Sequence, residues 1–171
     1  MNELTILMHL LSKKGSNSQI GATQEEILKA LNVKDKNRTI YFQDTIKNLS
    51  NYIEPLGLQV TFNPLNSYWY ISFDPETTEF LSANPFEGNP RLAATLFCIL
   101  VTCFNSAGET TIQKIKEIRK KKGVLEDIKE LKKMGFVNLE RNLNKVSLSP
   151  LVGYLIDLEK LFLKIALKLK N

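Results

Sequence analysis

Apolar residues recur every three or four positions through residues 3–14, ELTILMHLLSKK, and predict a helix there. GSNSQIG follows as a loop. Thr23 then opens TQEEILKALNV, where Thr23 and Glu26 stand at capping-box spacing and Ile27, Leu28 and Leu31 form an apolar face. KDKN interrupts the pattern. In RTIYFQDTIKNLSNYIEPLG, Phe42, Ile46, Leu49 and Ile53 share one helical stripe until Pro55 and Gly57 end it. The period then changes. LQVTF and YWYISFD are rich in β-branched and aromatic residues and flank the turn NPLNS, which predicts a hairpin.

Helix, helix, helix, hairpin is the order of a winged helix, and the order repeats after a Pro-rich connection, ETTEFLSANPFEGNP. RLAATLFCILVTCFNSAG predicts an apolar helix buried nearly all round. Gly108 and Thr110/Thr111 correspond to Gly21 and Thr23, and TIQKIKEIRK aligns with TQEEILKALN. VLEDIKELKKMG predicts a third helix ended by Gly135, followed by the strand FVNLE, the turn RNLN and the strand KVSLS. A last helix is predicted in PLVGYLIDLEKLFLKIALKLKN. There Leu151, Leu155, Leu158, Phe162, Ile165 and Leu169 make an a/d seam beside a stripe of Lys160, Lys164 and Lys168. That helix either packs on its own domain or meets a partner. The fold expected is therefore mainly α with small β wings (α+β). It comprises a first winged-helix domain over 1–76, a linker over 77–90, a second winged-helix domain over 91–149 and an amphipathic helix over 150–171.

Composition adds little to the fold but narrows the chemistry. Of the 171 residues, 43% are hydrophobic and 24% charged, an ordinary globular balance. The net charge of +5 is uneven. Residues 1–82 carry 7 Lys+Arg against 9 Asp+Glu, net −2, and residues 83–171 carry 16 against 9, net +7. Cys98 and Cys103 lie five apart in one apolar run with no nearby histidine, so they read as buried hydrophobes of a reducing compartment. His9, the single histidine, sits among leucines as a packed helix residue. There is no P-loop, GxGxxG, nucleophile elbow or HExxH, so neither an enzyme nor a cofactor or metal is expected. MNELTILMHLLSKKG carries an acid where a secretion signal is basic, and no uncharged stretch reaches membrane-span length. A soluble cytoplasmic protein is expected.

TTIQKIKEIRKKKG places six basic residues among fourteen, with Arg119, Lys120, Lys121 and Lys122 consecutive. A DNA-reading winged helix inserts the N-terminal end of its third helix into the major groove. Here that end carries Glu126 and Asp127, which oppose phosphate and suit the helix dipole instead. In the first unit Arg38 is offset by Asp44, and neither wing is rich in positive charge. The basic run belongs to a turn. It is read first as a solvated turn and second as a non-specific DNA contact through Arg119, Lys120, Lys121 and Lys122.

The passage LSNYIEPLGLQVTFNPLNSYWYISFDPE resembles the long helix, Gly-Leu, strand, aromatic strand and Pro-Glu order of segregation and condensation protein B. That protein belongs to the kleisin-interacting tandem winged-helix (KITE) proteins that accompany SMC complexes. LAATLFCILVTCFNSAGETTIQKIKEIRKKKGVLEDIKELKKMGFV is similar to the family's second unit, with Glu117, Ile118 and Arg119 matching its Glu-Ile-Arg ending. The likeness covers residues 3–149. The chain departs from the family at CFNSAGE, where a Tyr-x-Gln-Pro turn is usual, at the KKKG after Arg119, and in its Leu-rich last helix, as a divergent member would. The resemblance implies a non-enzymatic, nucleoid-associated subunit that binds a kleisin and, through it, an SMC ATPase. Its part is in chromosome condensation and segregation. It also implies a homodimer formed by the first unit, for which the strand residues Tyr68, Trp69 and Tyr70 are candidates. The alternative for that strand is that Trp69, Ile71 and Phe73 are core and the tyrosines cap the sheet. Kleisin-binding candidates are Phe97, Phe104, Phe136 and Val137, with core packing the alternative for Phe97. DNA contact is expected to be weak and non-specific, and no membrane is involved. A winged-helix transcription regulator, or a tandem winged-helix scaffold of another complex, stands as the rival reading.

Overall fold

Helix α1 (Glu3–Ser12) begins where the Asn2 side chain accepts the Leu4 amide at 3.1 Å, and it turns Leu7 and Leu11 fully inward. The computed structural model describes residues 2–15, 19–34, 37–81, 85–140 and 144–168. The chain divides into two units, Met1–Ser82 and Ala83–Asn171, each of α+β composition with a small antiparallel sheet.

In the first unit the two-residue strand β1 (Ala22–Thr23) leads into α2 (Gln24–Ala30). The predicted capping box is formed: Thr23 Oγ1 accepts the Glu26 amide at 3.2 Å, and Glu26 Oε2 accepts the Thr23 amide at 2.8 Å. Helix α3 (Arg38–Ile53) buries Phe42, Ile46, Leu49 and Ile53 as the spacing predicted. A 3-10 turn, Glu54–Leu56, then ends at Gly57 in the left-handed region, φ 69°. Strands β2 (Leu58–Asn63) and β3 (Tyr68–Phe73) pair antiparallel, and β1 adds to the other edge of β3, giving the order β1-β3-β2. Helix α4 (Pro75–Leu81) occupies the start of the predicted linker. Asp74 caps it by accepting the Thr77 amide at 2.7 Å, and that bond holds the Asp74 carboxyl below the usual carboxylate range.

The third strand was not legible, and Gly21 explains how it forms. With φ 94°, Gly21 brings the backbone so close to β3 that a Cβ would stand 1.9 Å from the Trp69 carbonyl oxygen. The unit's core gathers Leu7, Leu11, Ile27, Leu49 and Ile53, all solvent-inaccessible, with Leu58, Val60, Trp69 and Ile71 packed against it from the sheet. Each such aliphatic side chain contributes up to about 1.5–3 kcal/mol by burial.

The second unit repeats the element order. Helix α5 (Pro90–Phe104) is followed by β4 (Glu109–Thr111), α6 (Ile112–Arg119), α7 (Val124–Lys133), β5 (Val137–Glu140) and β6 (Lys145–Leu148), with sheet order β4-β6-β5. Thr111 caps α6 by accepting the Lys114 amide at 3.3 Å. Leu92, Leu96, Ile99, Leu100 and Cys103 of α5 join Ile115, Ile128, Leu131 and Val146 in the buried set.

Three expectations about the helices differ from the structure. The last helix is two, α8 (Pro150–Leu155) and α9 (Leu158–Lys168), because Ile156 is extended and Asp157 caps a fresh start by accepting the Lys160 amide at 2.9 Å. The a/d seam is thereby broken, with Leu155 exposed and Leu158 buried. His9 is exposed on α1 rather than packed, since Leu7 and Leu11 take the inward face. Helix α5 is not buried all round. Arg141 of the predicted turn and Leu169 of the seam lie outside the described residues. Among the described residues no helix is long and apolar enough to cross a membrane.

Candidate protein-binding surface

Helix α5 is apolar along almost its whole length, so its sequence carries no contrast to say which side faces water. The buried residues Leu92, Thr95, Leu96, Ile99, Leu100, Thr102 and Cys103 decide it. At 100° per residue they span one side, and Ala94, Phe97, Val101 and Phe104 fall on the other. Phe97 is 41% exposed and Phe104 48%, while Ala94 and Val101 are half-buried. The Phe104 ring meets Phe162 of α9 edge-on, with centroids 4.8 Å apart. One end of the stripe is thus covered by the chain's own α9, and the Phe97 end is open.

The other two candidates for partner contact, Phe136 and Val137, are 2% exposed. Phe136 packs its ring on Phe86 at 5.1 Å, and its amide and carbonyl bond to Leu131 and Ser149. Both side chains belong to the core of the second unit and offer no surface.

In the first unit strand alternation divides the aromatic triplet. Trp69 points to the helices, 5.3 Å from Phe42 and 5.0 Å from Phe62, with Phe62 directly across the ladder. Tyr70 is buried on the opposite face and Tyr68 is half-buried. Tyr68 keeps exposed area, Trp69 and Ile71 pack on the core, and Phe73 is half exposed. Exposed Phe62, Tyr52 and Leu56 were not singled out by sequence. Tyr52 lies in the last turn of α3 and Leu56 in the 3-10 turn after it. Between the end of α3, β2 and the start of α4 lies an open groove of about 670 Å³ lined by Ser50, Asn51, Gln59 and the carboxylates Glu54, Asp74 and Glu76.

The basic turn has a structural anchor. Arg119, the last residue of α6, donates from Nε to Thr95 Oγ1 at 3.3 Å. The Thr95 hydroxyl in turn donates to Asp127 Oδ2 at 2.9 Å. Asp127 is 1% exposed, which corrects the expectation that it faces outward from the first turn of α7. It turns inward because α5 offers it a hydroxyl and a guanidinium: Arg91 Nε lies 2.8 Å from Oδ1, a close charge contact without an aligned hydrogen bond. Glu126 alone of the two acids remains on the surface. Lys120 adopts the left-handed conformation, φ 48°, and Gly123 follows at φ 83°, so the chain reverses between α6 and α7. Lys120, Lys121 and Lys122 are exposed and form no ion pair among the described residues. The sequence holds only a faint hint of this network, Arg91 and Thr95 standing four apart on a mostly apolar helix.

The thiols fit their burial. Cys103 is buried, donates to the Val146 carbonyl at 3.7 Å, and is pushed up to about 11 by desolvation. Desolvation also raises Cys98, opposed by the charge of Arg119. Among the described residues no group of three His, Cys, Asp or Glu side chains is arranged to hold a metal ion. Comparison with protein-family models and with curated proteins returns no match.

Proposed function

We propose that this chain is a tandem winged-helix protein that works by binding other chains. In this reading it is a non-enzymatic accessory subunit of an SMC–kleisin complex that aids chromosome condensation and segregation. The observation that carries the reading is the open apolar stripe of α5, where Phe97 stays 41% exposed on the face opposite the core. Together with half-buried Ala94 and Val101, Phe97 makes a contiguous apolar strip on a helix, a surface that can seat a partner chain. The repeated element order of the two units supports the tandem winged-helix description. The kleisin binds along the open end of the α5 stripe, at Phe97 and Val101. The first unit makes the homodimer through the sheet face opposite Trp69, where Tyr68 keeps exposed area. The complex acts at the nucleoid in the cytoplasm.

A second reading has one observation in its favour. With Asp127 withdrawn into the core, the unpaired lysines of the turn meet less opposing charge than the sequence suggested, which favours a non-specific phosphate contact at Lys120–Lys122. Sequence-specific DNA reading has no such support.

The test is affinity purification of the tagged chain from its own cells, as parent and as Phe97→Glu, beside a salt series of titrations with a generic DNA duplex. The reading predicts co-purification of a kleisin and an SMC ATPase with the parent only, and DNA binding that fades steeply with salt. Tight, sequence-selective DNA binding with neither partner would overturn it.

A further inference from the structure

Helix α9 has two apolar sides. Leu158 is buried, and Phe162 is held against Phe104, so one side belongs to the second unit. At 100° per residue Leu163 and Leu167 fall nearly opposite, and they are 60% and 57% exposed. Lys160, Lys164 and Lys168 run along one flank of that ridge at four-residue intervals. All three are exposed, and none forms an ion pair among the described residues. The other flank carries Ala166 and Glu159.

We propose that this outer face of α9 docks an acidic amphipathic helix of a partner protein. Leucines one turn apart make a ridge about 6 Å in repeat, which fits between the side chains of a second helix. The lysines repeat at the same interval, so a helix lying along the ridge meets a line of positive charge on one side. Carboxylates spaced four residues apart satisfy that line, and their placement fixes the direction and register of the bound helix. A second copy of α9 is a poorer occupant: packed antiparallel its lysines would oppose these, and packed parallel it would offer three lysines only the single acid Glu159. An anionic membrane surface is poorer too. Among the described residues the apolar ridge is one leucine wide and two long, and one flank holds an acid instead of the bases that border membrane-surface helices. The inference rests on α9 alone and holds whatever chain binds α5.

The experiment displays a library of helical peptides, each with a Leu/Ile ridge and one randomised flank, and selects it on the 171-residue chain. The parent is expected to enrich Glu and Asp on the flank. The variant Lys160→Glu/Lys164→Glu/Lys168→Glu is expected to enrich Lys and Arg. Leu163→Ser/Leu167→Ser is expected to weaken the selected peptides by roughly tenfold or more, and Phe97→Glu to leave them unchanged. All these positions are exposed, and circular dichroism checks that each variant is folded. No enrichment, or the same enrichment on parent and charge-swapped chain, overturns the proposal. Tighter binding to phosphatidylserine vesicles than to any peptide overturns it in favour of a membrane. Self-association lost in the leucine variant overturns it in favour of a second copy.

Discussion

Asp127→Ala probes the one charged side chain that is buried among the described residues of the second unit. The carboxylate is 1% exposed and accepts from Thr95, itself fully buried, at 2.9 Å. A hydrogen bond to a charged acceptor is worth about 1.5–3 kcal/mol, and its loss leaves the Thr95 hydroxyl without its acceptor. The Arg91 contact adds less than its 2.8 Å suggests. That side chain is 59% exposed, so water takes over its charge, and the pair is worth ~1 kcal/mol at most. The position in the first turn of α7 adds about 0.3–1 kcal/mol from the helix dipole. Against these stands the relief of desolvating a carboxylate. A net loss of about 2–4 kcal/mol is expected. Asp127→Asn keeps an acceptor for Thr95 and loses about half as much. Thr95→Val combined with Asp127→Ala falls short of additivity by about 1 kcal/mol or more, since both remove one bond. The assay is urea unfolding with hydrogen exchange read on α5 and α7 peptides, because Trp69, the sole tryptophan, reports only on the first unit. A loss within about 0.5 kcal/mol for Asp127→Ala would refute the reasoning.

Further outcomes follow from single contacts. Tyr41 donates to Glu3 Oε1 at 2.8 Å, and that bond raises its phenol above the ordinary 10.0. The sign is therefore that of a group whose protonated form is favoured by folding: its contribution is intact below pH 10 and is lost as pH rises through the folded value. NMR titration of the Tyr41 ring is expected to show late ionisation, and Glu3→Gln to bring it back toward 10. Cys103, buried and near 11, is expected to resist a thiol reagent at pH 8 until the chain unfolds. Rapid modification in the native state would contradict its placement. Gly21→Ala forces a Cβ onto the Trp69 carbonyl at positive φ, and a loss of several kcal/mol with a shifted Trp69 emission is expected.

What the sequence made legible was periodic. The stripe Phe42, Ile46, Leu49, Ile53, the Thr23–Glu26 capping box and the hairpin around NPLNS appear where spacing put them. What it hid was short, uniform or tertiary. Strands β1 and β4 have two and three residues, too few for alternation to show. Helix α5 is apolar on every side, so nothing in its pattern told Phe97 from a core residue until α6, α7 and the sheet chose a face. Asp127 at a helix start reads as a surface acid, and only the approach of Arg91 and Thr95 makes burial affordable. Phe136 and Val137 were weighed as surface because a strand end gives no sign of what covers it.

In the proposed reading α5 presents Phe97 to a kleisin. The most direct measurement installs a photo-crosslinking residue at position 97 in cells and identifies the attached peptide by mass spectrometry, with position 121 in the basic turn as control. The account predicts crosslinks from position 97 concentrated in one segment of a kleisin chain. No protein crosslink at 97, or nucleic acid attached at 121 as the sole product, would contradict it.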